Sequence, residues 1–277
     1  MDTQTLVIGN VSLYVKDLEM MKNFYHNVVN LDIISESKTE IVLGKGKHAL
    51  LELHHDDLIP SSIQGEAGLY HFAIVFGSRG TLARTIQHIL THSPQHFSGS
   101  GDHLVSEAFY FTDPEGNGIE LYFDRDRALW QRENGQIKMA TLYIDPVEYL
   151  RKYIVLEEPE TEVKMGHVHL KVGDIDTAKR FYVDTLGFEI MAEMPSALFI
   201  SVDGYHHHIG LNTWESNGAK ERTLSHGLKR FEMVLSNTED LENIKTKLTT
   251  ENIRFKEVEK GIVLHDPWKH EILIKVA

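Results

Sequence analysis

The sequence is rich in side chains that bind metal ions or transfer protons. It has 17 histidines and 41 Asp and Glu residues, but no cysteine. Without thiolates, a bound metal ion must be held by imidazole nitrogens and carboxylate oxygens. A histidine also titrates near neutral pH, which suits it to general acid–base chemistry. The run His206, His207 and His208 is the densest group, but many histidines lie on protein surfaces, so only their positions along the fold can identify a site.

The elements that must position these side chains are repeated along the chain. The segment NVSLYVKDLEMMKNFYHNVVNLDII, which begins at Asn10, recurs without a gap as HVHLKVGDIDTAKRFYVDTLGFEIM, which begins at His167. Both copies begin with a strand of alternating apolar residues. Asp17 and Asp174 then follow at positions suited to capping a helix. We interpret this similarity as an internal duplication.

Each copy is predicted to continue as a βαβββ module. Asn30 and Gly187 end the two helices, because both residue types tolerate a left-handed backbone, and three short strands follow each helix. A second pair of modules begins at Gly68 and Gly227, each with an amphipathic helix and a last strand after an Asp-Pro pair. The sequence therefore predicts an α+β fold of four βαβββ modules. They span roughly residues 4–57, 65–125, 161–215 and 222–277.

The length of the chain predicts more than one domain. At 277 residues it exceeds the usual single-domain size. Residues 126–160, with most of the polar stretch DRDRALWQRENG and most of the acidic run LEEPETE, are interpreted as a linker. The predicted domains are an N-terminal pair of modules in residues 1–125 and a C-terminal pair in residues 161–277.

Composition and charge exclude several classes of partner. A net charge of -13 provides no positive field for phosphates, so neither nucleic acid nor an anionic membrane surface is an expected partner. No stretch approaches the roughly 18 apolar residues of a membrane span, and the start of the chain lacks the pattern of a secretory signal. We therefore expect a cytoplasmic protein.

Four modules with V-x-D-[LI] after the first strand, and DP-x-GN-x-IE in module two, resemble the vicinal oxygen chelate superfamily. This superfamily includes glyoxalases, bleomycin resistance proteins and extradiol dioxygenases. The strings GLYHFAI, GDHLVSEAFYFTDPEGNGIELY, GHVHLKVGDID and GYHHHIGLNTW are most similar to the bacillary catechol 2,3-dioxygenase type. The resemblance covers nearly the whole chain. It implies that the modules pair into two curved-sheet cups.

The resemblance also implies where a metal ion would bind. In this superfamily the ligands come from the first and last strands of paired modules. The first-strand positions here are Asn10, His71, His167 and Arg230. The last-strand positions are Glu52, Glu120, Gly210 and Leu273. Pairing modules two and three gives the set His71, Glu120 and His167, which implies Fe(II) as the cofactor, with Mn(II) as the alternative. Each residue alone also has an ordinary reading as a strand side chain.

Acid–base and substrate-binding residues follow from the same resemblance. His207 occupies the position of the family's acid–base histidine, although a bulge in the strand would bring His208 inward instead. Tyr110 matches an active-site tyrosine in Y-F-x-DP and is expected to donate a hydrogen bond to a reacting oxygen. His103 is displaced by two residues from a second family histidine, and it is a candidate for the substrate pocket.

The implied function is an extradiol dioxygenase that opens a catechol-type aromatic diol with O2, and homo-oligomerisation is left open. One alternative is a glyoxalase-type metal-dependent isomerase or lyase. Its cup would combine modules one and two and would contain Asn10, Glu52, His71 and Glu120. The other alternative is a protein without catalytic activity that binds an aromatic drug.

Overall fold

A computed structural model describes residues 5–154 and 161–277. Residue 4, where the first module was predicted to begin, lies outside the described residues. So does the predicted acidic run LEEPETE, except for Thr161 and Glu162.

Each predicted module of the first half is present as a strand, a helix and three further strands. Module one has β1 (Leu6–Tyr14), α1 (Leu18–Asn23), β2 (Asp32–Glu36), β3 (Glu40–Lys45) and β4 (His48–His54). Module two has β5 (Gly68–Phe76), α2 (Arg79–His92), β6 (Phe97–Asp102), β7 (Ser106–Thr112) and β8 (Gly118–Asp124).

The segment between the halves has secondary structure that the sequence interpretation did not predict. It contains a short hairpin of β9 (Arg132–Glu133) and β10 (Gln136–Ile137), followed by α3 (Pro146–Tyr153). The Asp145 carboxylate begins this helix by accepting hydrogen bonds from the amides of Val147 and Glu148.

The second half repeats the order of elements of the first. Module three has β11 (Val163–Lys171), α4 (Ile175–Lys179), β12 (Glu189–Met194), β13 (Ala197–Ser201) and β14 (Ile209–Asn212). Module four has β15 (Gly227–Leu235), α5 (Thr238–Thr250), β16 (Phe255–Val258), β17 (Gly261–His265) and β18 (Glu271–Val276). None of the helices within the described ranges is long and apolar enough to cross a membrane.

The duplicated helices begin where the sequence predicts. The Asp17 carboxylate accepts a hydrogen bond from the Met20 amide, and Asp174 accepts one from the Thr177 amide. These caps satisfy amide groups that a helix leaves unpaired at its start. After about one and a half turns, both helices continue as wider π-helical turns, over Phe24–Val28 and Arg180–Thr185, which the apolar pattern did not predict.

The predicted left-handed residues after these helices are confirmed. Asn30 has φ 67° and Gly187 has φ 85°, and each reverses the chain into the next strand. In the first half of the duplication the Tyr25 hydroxyl donates to Asp113 over 2.7 Å. In the second half Tyr182 donates to Asp266 over 3.0 Å, so both buried tyrosines have the same kind of partner.

The strands form two eight-stranded sheets, which confirms the α+β fold with modules paired into curved-sheet cups. One sheet has the order β12-β13-β14-β11-β5-β8-β7-β6, so it contains modules three and two. The other has the order β16-β17-β18-β15-β1-β4-β3-β2 and contains modules four and one. Within modules two, three and four the first and last strands are parallel, as in β5 with β8.

Contacts between Cα atoms divide the chain into two compact units. One comprises Met1–Tyr14, Asp56–Tyr70 and His167–Ala277, and the other comprises Val15–His55 and His71–Gly166.

Candidate metal and acid–base site

His71 and Glu120 lie side by side on the neighbouring strands β5 and β8. In this parallel pair Ala73 is opposite Glu120, and His71 faces the same side of the sheet because side chains alternate along a strand. His71 Nε2 lies 3.0 Å from a Glu120 carboxylate oxygen. The two residues are only 6% and 3% exposed, so the pair is shielded from bulk water.

Tyr110 and His103 extend this pair across the sheet. Tyr110 on β7 is directly opposite Glu120 on β8, so the two side chains share a face. The Tyr110 ring centroid is 5.8 Å from that of His71. The Tyr110 hydroxyl is 2.6 Å from His103 Nε2, which joins the displaced histidine of the β6–β7 turn to the same row of polar side chains.

His167 lies on β11, immediately after a residue that packs against β8. A Cβ atom added to Gly166 would lie 1.9 Å from the Tyr122 hydroxyl oxygen, so only glycine permits this approach. Tyr122 is two residues beyond Glu120 and on the same face of the strand. His167, which follows Gly166, offers a ring nitrogen that forms one group with ligand atoms of His71 and Glu120, all within 4.8 Å of one another.

The described residues contain one group of at least three His, Asp or Glu side chains whose ligand atoms come this close together: His71, Glu120 and His167. The group offers two neutral nitrogen donors and one anionic oxygen donor. This donor set suits a divalent transition metal ion such as iron, manganese or zinc, whereas a calcium or magnesium site would be built from oxygen atoms alone. The residues present therefore fit the cofactor that the sequence implies.

The three consecutive histidines have different surroundings. The His207 ring centroid lies 4.0 Å from that of His167, and His207 Nδ1 is 2.8 Å from His206 Nδ1. His208 instead turns to Ser201, whose hydroxyl oxygen is 2.8 Å from its Nδ1. The His207 ring therefore lies against the candidate ligand His167.

A fourth histidine near His167 was missed by the sequence interpretation. His169 lies two residues further along β11 and therefore on the same face as His167. Its ring fills the space above Gly210, where an added Cβ would be 2.8 Å from a ring carbon, and its Nε2 is 3.0 Å from Asn212 Nδ2. His169 could have been identified from the sequence by its spacing of two residues from His167, because this spacing places both side chains on one face of a strand. Gly210 occupies the last-strand position of module three, and because glycine has no side chain it cannot supply a metal ligand there.

The remaining family positions lie on the other sheet. Glu52 on β4 is 3.4 Å from His54 Nε2, and the backbone amide of Asn10 on β1 is 3.4 Å from a Glu232 carboxylate oxygen. Because β1 and β4 are not in the sheet that contains β5 and β8, the alternative cup of modules one and two is not the pairing found. Arg230 Nη1 lies 3.9 Å from a Glu271 carboxylate oxygen, and the positive charge of Arg230 disfavours a second metal ion on this sheet.

A partly buried ion-pair network supports the turn that carries His103. Glu107 on β7 binds Arg79 over 2.7 and 2.9 Å, and Arg125 reaches both Glu107 at 3.1 Å and Asp102 at 2.7 Å. Burial alone would raise the pKa of Glu107, but the hydrogen bonds and charges of the two arginines outweigh it, so this pKa is lowered. The network holds the ends of β6 and β7 together.

Comparison with known proteins shows which family the sequence matches. Residues 7–121 and 164–272 match the family described as Glyoxalase/Bleomycin resistance protein/Dioxygenase superfamily. A protein of Bacillus subtilis (strain 168) named Catechol-2,3-dioxygenase is 37% identical, and the alignment covers 94% of this chain and 93% of that protein.

Solved structures agree in fold. A putative dioxygenase from Bacillus subtilis matches with a TM-score of 0.68 and 13% identity, over 99% of this chain and 86% of the other. Glyoxalase I from Zea mays matches with a TM-score of 0.58 and 14% identity, over 99% and 93%. At these identities the structures show a shared fold and do not distinguish between activities.

Proposed function

The chain belongs to the glyoxalase/bleomycin resistance protein/dioxygenase superfamily, and on that premise we propose that it is an extradiol dioxygenase. Its substrate in this proposal is a catechol-type aromatic diol, which it opens with O2 by using Fe(II). The observation that carries the proposal is the buried group His71, Glu120 and His167. Two histidines and one carboxylate are the protein ligands of many non-haem iron oxygenases. The relative named Catechol-2,3-dioxygenase supports the substrate class.

A metal site with only three protein ligands would leave coordination positions of iron open for the reactants. When bound, Fe(II) supplies open coordination positions for the diol oxygens and O2, together with electron transfer between them. The protein contributes the burial of His71 and Glu120, which keeps bulk water from the ligands. Mn(II) is the alternative ion, because it accepts the same nitrogen and oxygen donors.

His207 is proposed to move protons during the reaction. Its Nδ1 lies 2.8 Å from His206 Nδ1, and we assign proton exchange with a bound diol to its Nε2. In this role Nε2 accepts a proton from a diol hydroxyl and later returns it to an oxygen of the ring-opened product. A histidine suits both steps because its unperturbed pKa of about 6.5 lies near neutral pH.

The test compares two glutamates at equivalent last-strand positions. After reconstitution with Fe(II), the Glu120→Gln variant should lose iron and O2 uptake with catechol, because the amide lacks the negative charge of the carboxylate. The Glu52→Gln variant should behave like the unmodified protein, since Glu52 lies on the other sheet. Iron is measured by elemental analysis and O2 with an electrode.

Two results would overturn the proposal. Retention of iron and of O2 uptake by Glu120→Gln would remove Glu120 from the ligand set. An iron-loaded, folded protein that consumes no O2 with catechol or its substituted forms would exclude the dioxygenase activity itself.

A further inference from the structure

A cavity of about 320 Å³ lies beside α2, on the face of β5 opposite to the candidate metal ligand His71. Phe76 lines this cavity and is five residues beyond His71 on β5, so the two side chains lie on opposite faces of the strand. On the Phe76 face, Phe72 packs against Tyr25 of the π-helical turns, with 6.2 Å between ring centroids. The buried apolar residues that line the cavity are Val29, Leu31, Phe76 and Val163.

One face of α2 lines the same cavity with polar side chains. They follow one another at spacings of three or four residues, which places them in a single stripe along the helix: Thr81, Arg84, Thr85 and His88. Arg84 Nη2 donates a hydrogen bond to Thr81 Oγ1 over 3.2 Å, and His88 Nε2 donates one to the Asn27 carbonyl oxygen over 2.9 Å. These contacts hold both nitrogen-bearing side chains along the wall of the cavity.

The cavity concentrates positive charge in a protein whose net charge is -13. Lys45 and Arg84 both line it, and the described residues that line it include neither Asp nor Glu. A half-exposed carboxylate, that of Asp32, lies 3.6 Å from Lys45 Nζ and offsets part of the charge of Lys45. Arg84 is therefore the better partner for an anion, because a guanidinium presents two parallel N–H groups to a carboxylate.

We propose that this cavity is a second small-molecule site, which binds a carboxylic acid with an apolar body of roughly the size of benzoate. Arg84 forms the ion pair with the carboxylate of the ligand, Lys45 adds a second positive charge, and the apolar walls cover the body. The same walls disfavour inorganic phosphate, since phosphate has no apolar part to replace the water that it would lose. The proposal goes beyond the proposed dioxygenase function and does not depend on it.

The first experiment measures and locates binding without using activity. Titration calorimetry of the full chain with benzoate should give a dissociation constant on the order of 0.1 to 1 mM, as expected for a ligand with about nine non-hydrogen atoms. The affinity should be the same with and without iron. Binding should shift the methyl NMR signals of Val29, Leu31 and Val163 in the protein prepared without metal. Benzamide, which is neutral, and inorganic phosphate should each bind at least about tenfold more weakly.

The second experiment uses two arginines in matching local surroundings. Arg180 Nη2 donates to Thr177 Oγ1 over 2.8 Å, which is the same contact with a residue three positions earlier that Arg84 makes, but Arg180 does not line the cavity. Arg84→Gln should weaken the binding of benzoate at least about tenfold, whereas Arg180→Gln should bind it like the unmodified protein. Lys45→Gln should have a smaller effect than Arg84→Gln, because Asp32 already offsets part of its charge.

Several results would overturn this site. One is the absence of measurable binding at a benzoate concentration about tenfold above the expected dissociation constant. Another is an equal loss of affinity in Arg84→Gln and Arg180→Gln, which would show that only the net charge of the protein matters. Benzamide or phosphate binding as tightly as benzoate would contradict the ligand class. Methyl shifts that leave Val29, Leu31 and Val163 unchanged would place benzoate elsewhere, and none of these results bears on O2 uptake with catechol.

Discussion

At the scale of single residues, the adjacent histidines His207 and His208 have different contacts. The His207 ring packs at a tilt of 49° against that of His167, with 4.0 Å between ring centroids, whereas His208 is 2% exposed and forms a hydrogen bond with Ser201. These surroundings favour a proton-transfer role for His207 and a packing role for His208.

Replacing the two histidines should therefore have different effects. In His207→Ala, turnover of catechol should fall by roughly 10² to 10⁴, because one proton-transfer residue contributes about that much, and iron content should not change. His208→Ala should chiefly lower the thermal unfolding temperature, because it removes a buried hydrogen bond. Normal turnover in His207→Ala with a large loss in His208→Ala would reverse the assignment.

The candidate ligand positions could be located because the family resemblance assigns ligands to the first and last strands of paired modules, and the internal repeat shows where those strands lie. His71, Glu120 and His167 are identified by their places on first and last strands. The contact between His103 and Ala140 could not be predicted, because it joins a turn to a segment that has no counterpart in the repeat. His169 could not be predicted from the ligand positions of the family, because it lies two residues beyond the first-strand position of His167.

At the scale of elements, the Glu107 network joins α2, β7 and the end of β8. Glu107→Gln should lower the free energy of unfolding at pH 7 by about 1.5 to 3 kcal/mol, the range for hydrogen bonds to charged groups. The folded-state pKa of Glu107 is lowered, so its stabilisation is present above the unfolded value of about 4.3 and is lost as pH falls through the folded value.

The measurement is urea unfolding of the unmodified protein and of Glu107→Gln, from neutral pH to below the pKa of Glu107. The difference between them should shrink in acid. Glu148→Gln is the control, because the exposed pair of Glu148 with Arg151 should contribute less than about 1 kcal/mol. An equal difference at every pH would argue against the ion pairs as its source.

The start of β11 offers a second prediction about elements. Gly166→Ala should destabilise the protein by about 1 to 3 kcal/mol, because the new methyl group overlaps the Tyr122 hydroxyl and must displace β11 or β8. Since His167 follows directly, iron affinity should fall as well. Gly68→Ala, at the start of β5, meets no atom within 4 Å and should leave iron binding unchanged.

Thermal unfolding and iron titration of the two glycine variants test this prediction. If Gly166→Ala bound iron as tightly as Gly68→Ala, the approach of β11 to Tyr122 would not be needed for the site.

The helices and most strands could be predicted from caps and alternation, but the π-helical turns could not, because their apolar spacing resembles that of an ordinary helix.

At the scale of the whole molecule, the sheet of modules two and three carries the candidate site, and the other sheet has Glu52 but no histidine at the equivalent positions. Asn10, Arg230 and Leu273 offer no good ligand set, and the Arg230 cation opposes a bound metal ion. We expect one tightly held iron ion per chain. Elemental analysis that finds two after extensive dialysis would contradict this prediction.

The pairing of modules could be narrowed from sequence because only modules two and three have complementary ligand residues. Pairing brings together strands that are far apart in the chain, so local patterns alone cannot select it. The domain limits at residues 125 and 161, the cytoplasmic location and homo-oligomerisation stay predictions.

We propose that this chain opens a catechol ring with O2 and Fe(II). The most direct test is the stoichiometry of the reaction of iron-loaded protein with catechol, with O2 consumption and product mass followed together. One O2 should be consumed per catechol without formation of hydrogen peroxide, and the product should be a ring-opened muconic semialdehyde that contains both oxygen atoms of O2 before exchange with water. Binding of catechol without O2 consumption, or oxidation to a quinone with release of hydrogen peroxide, would contradict it.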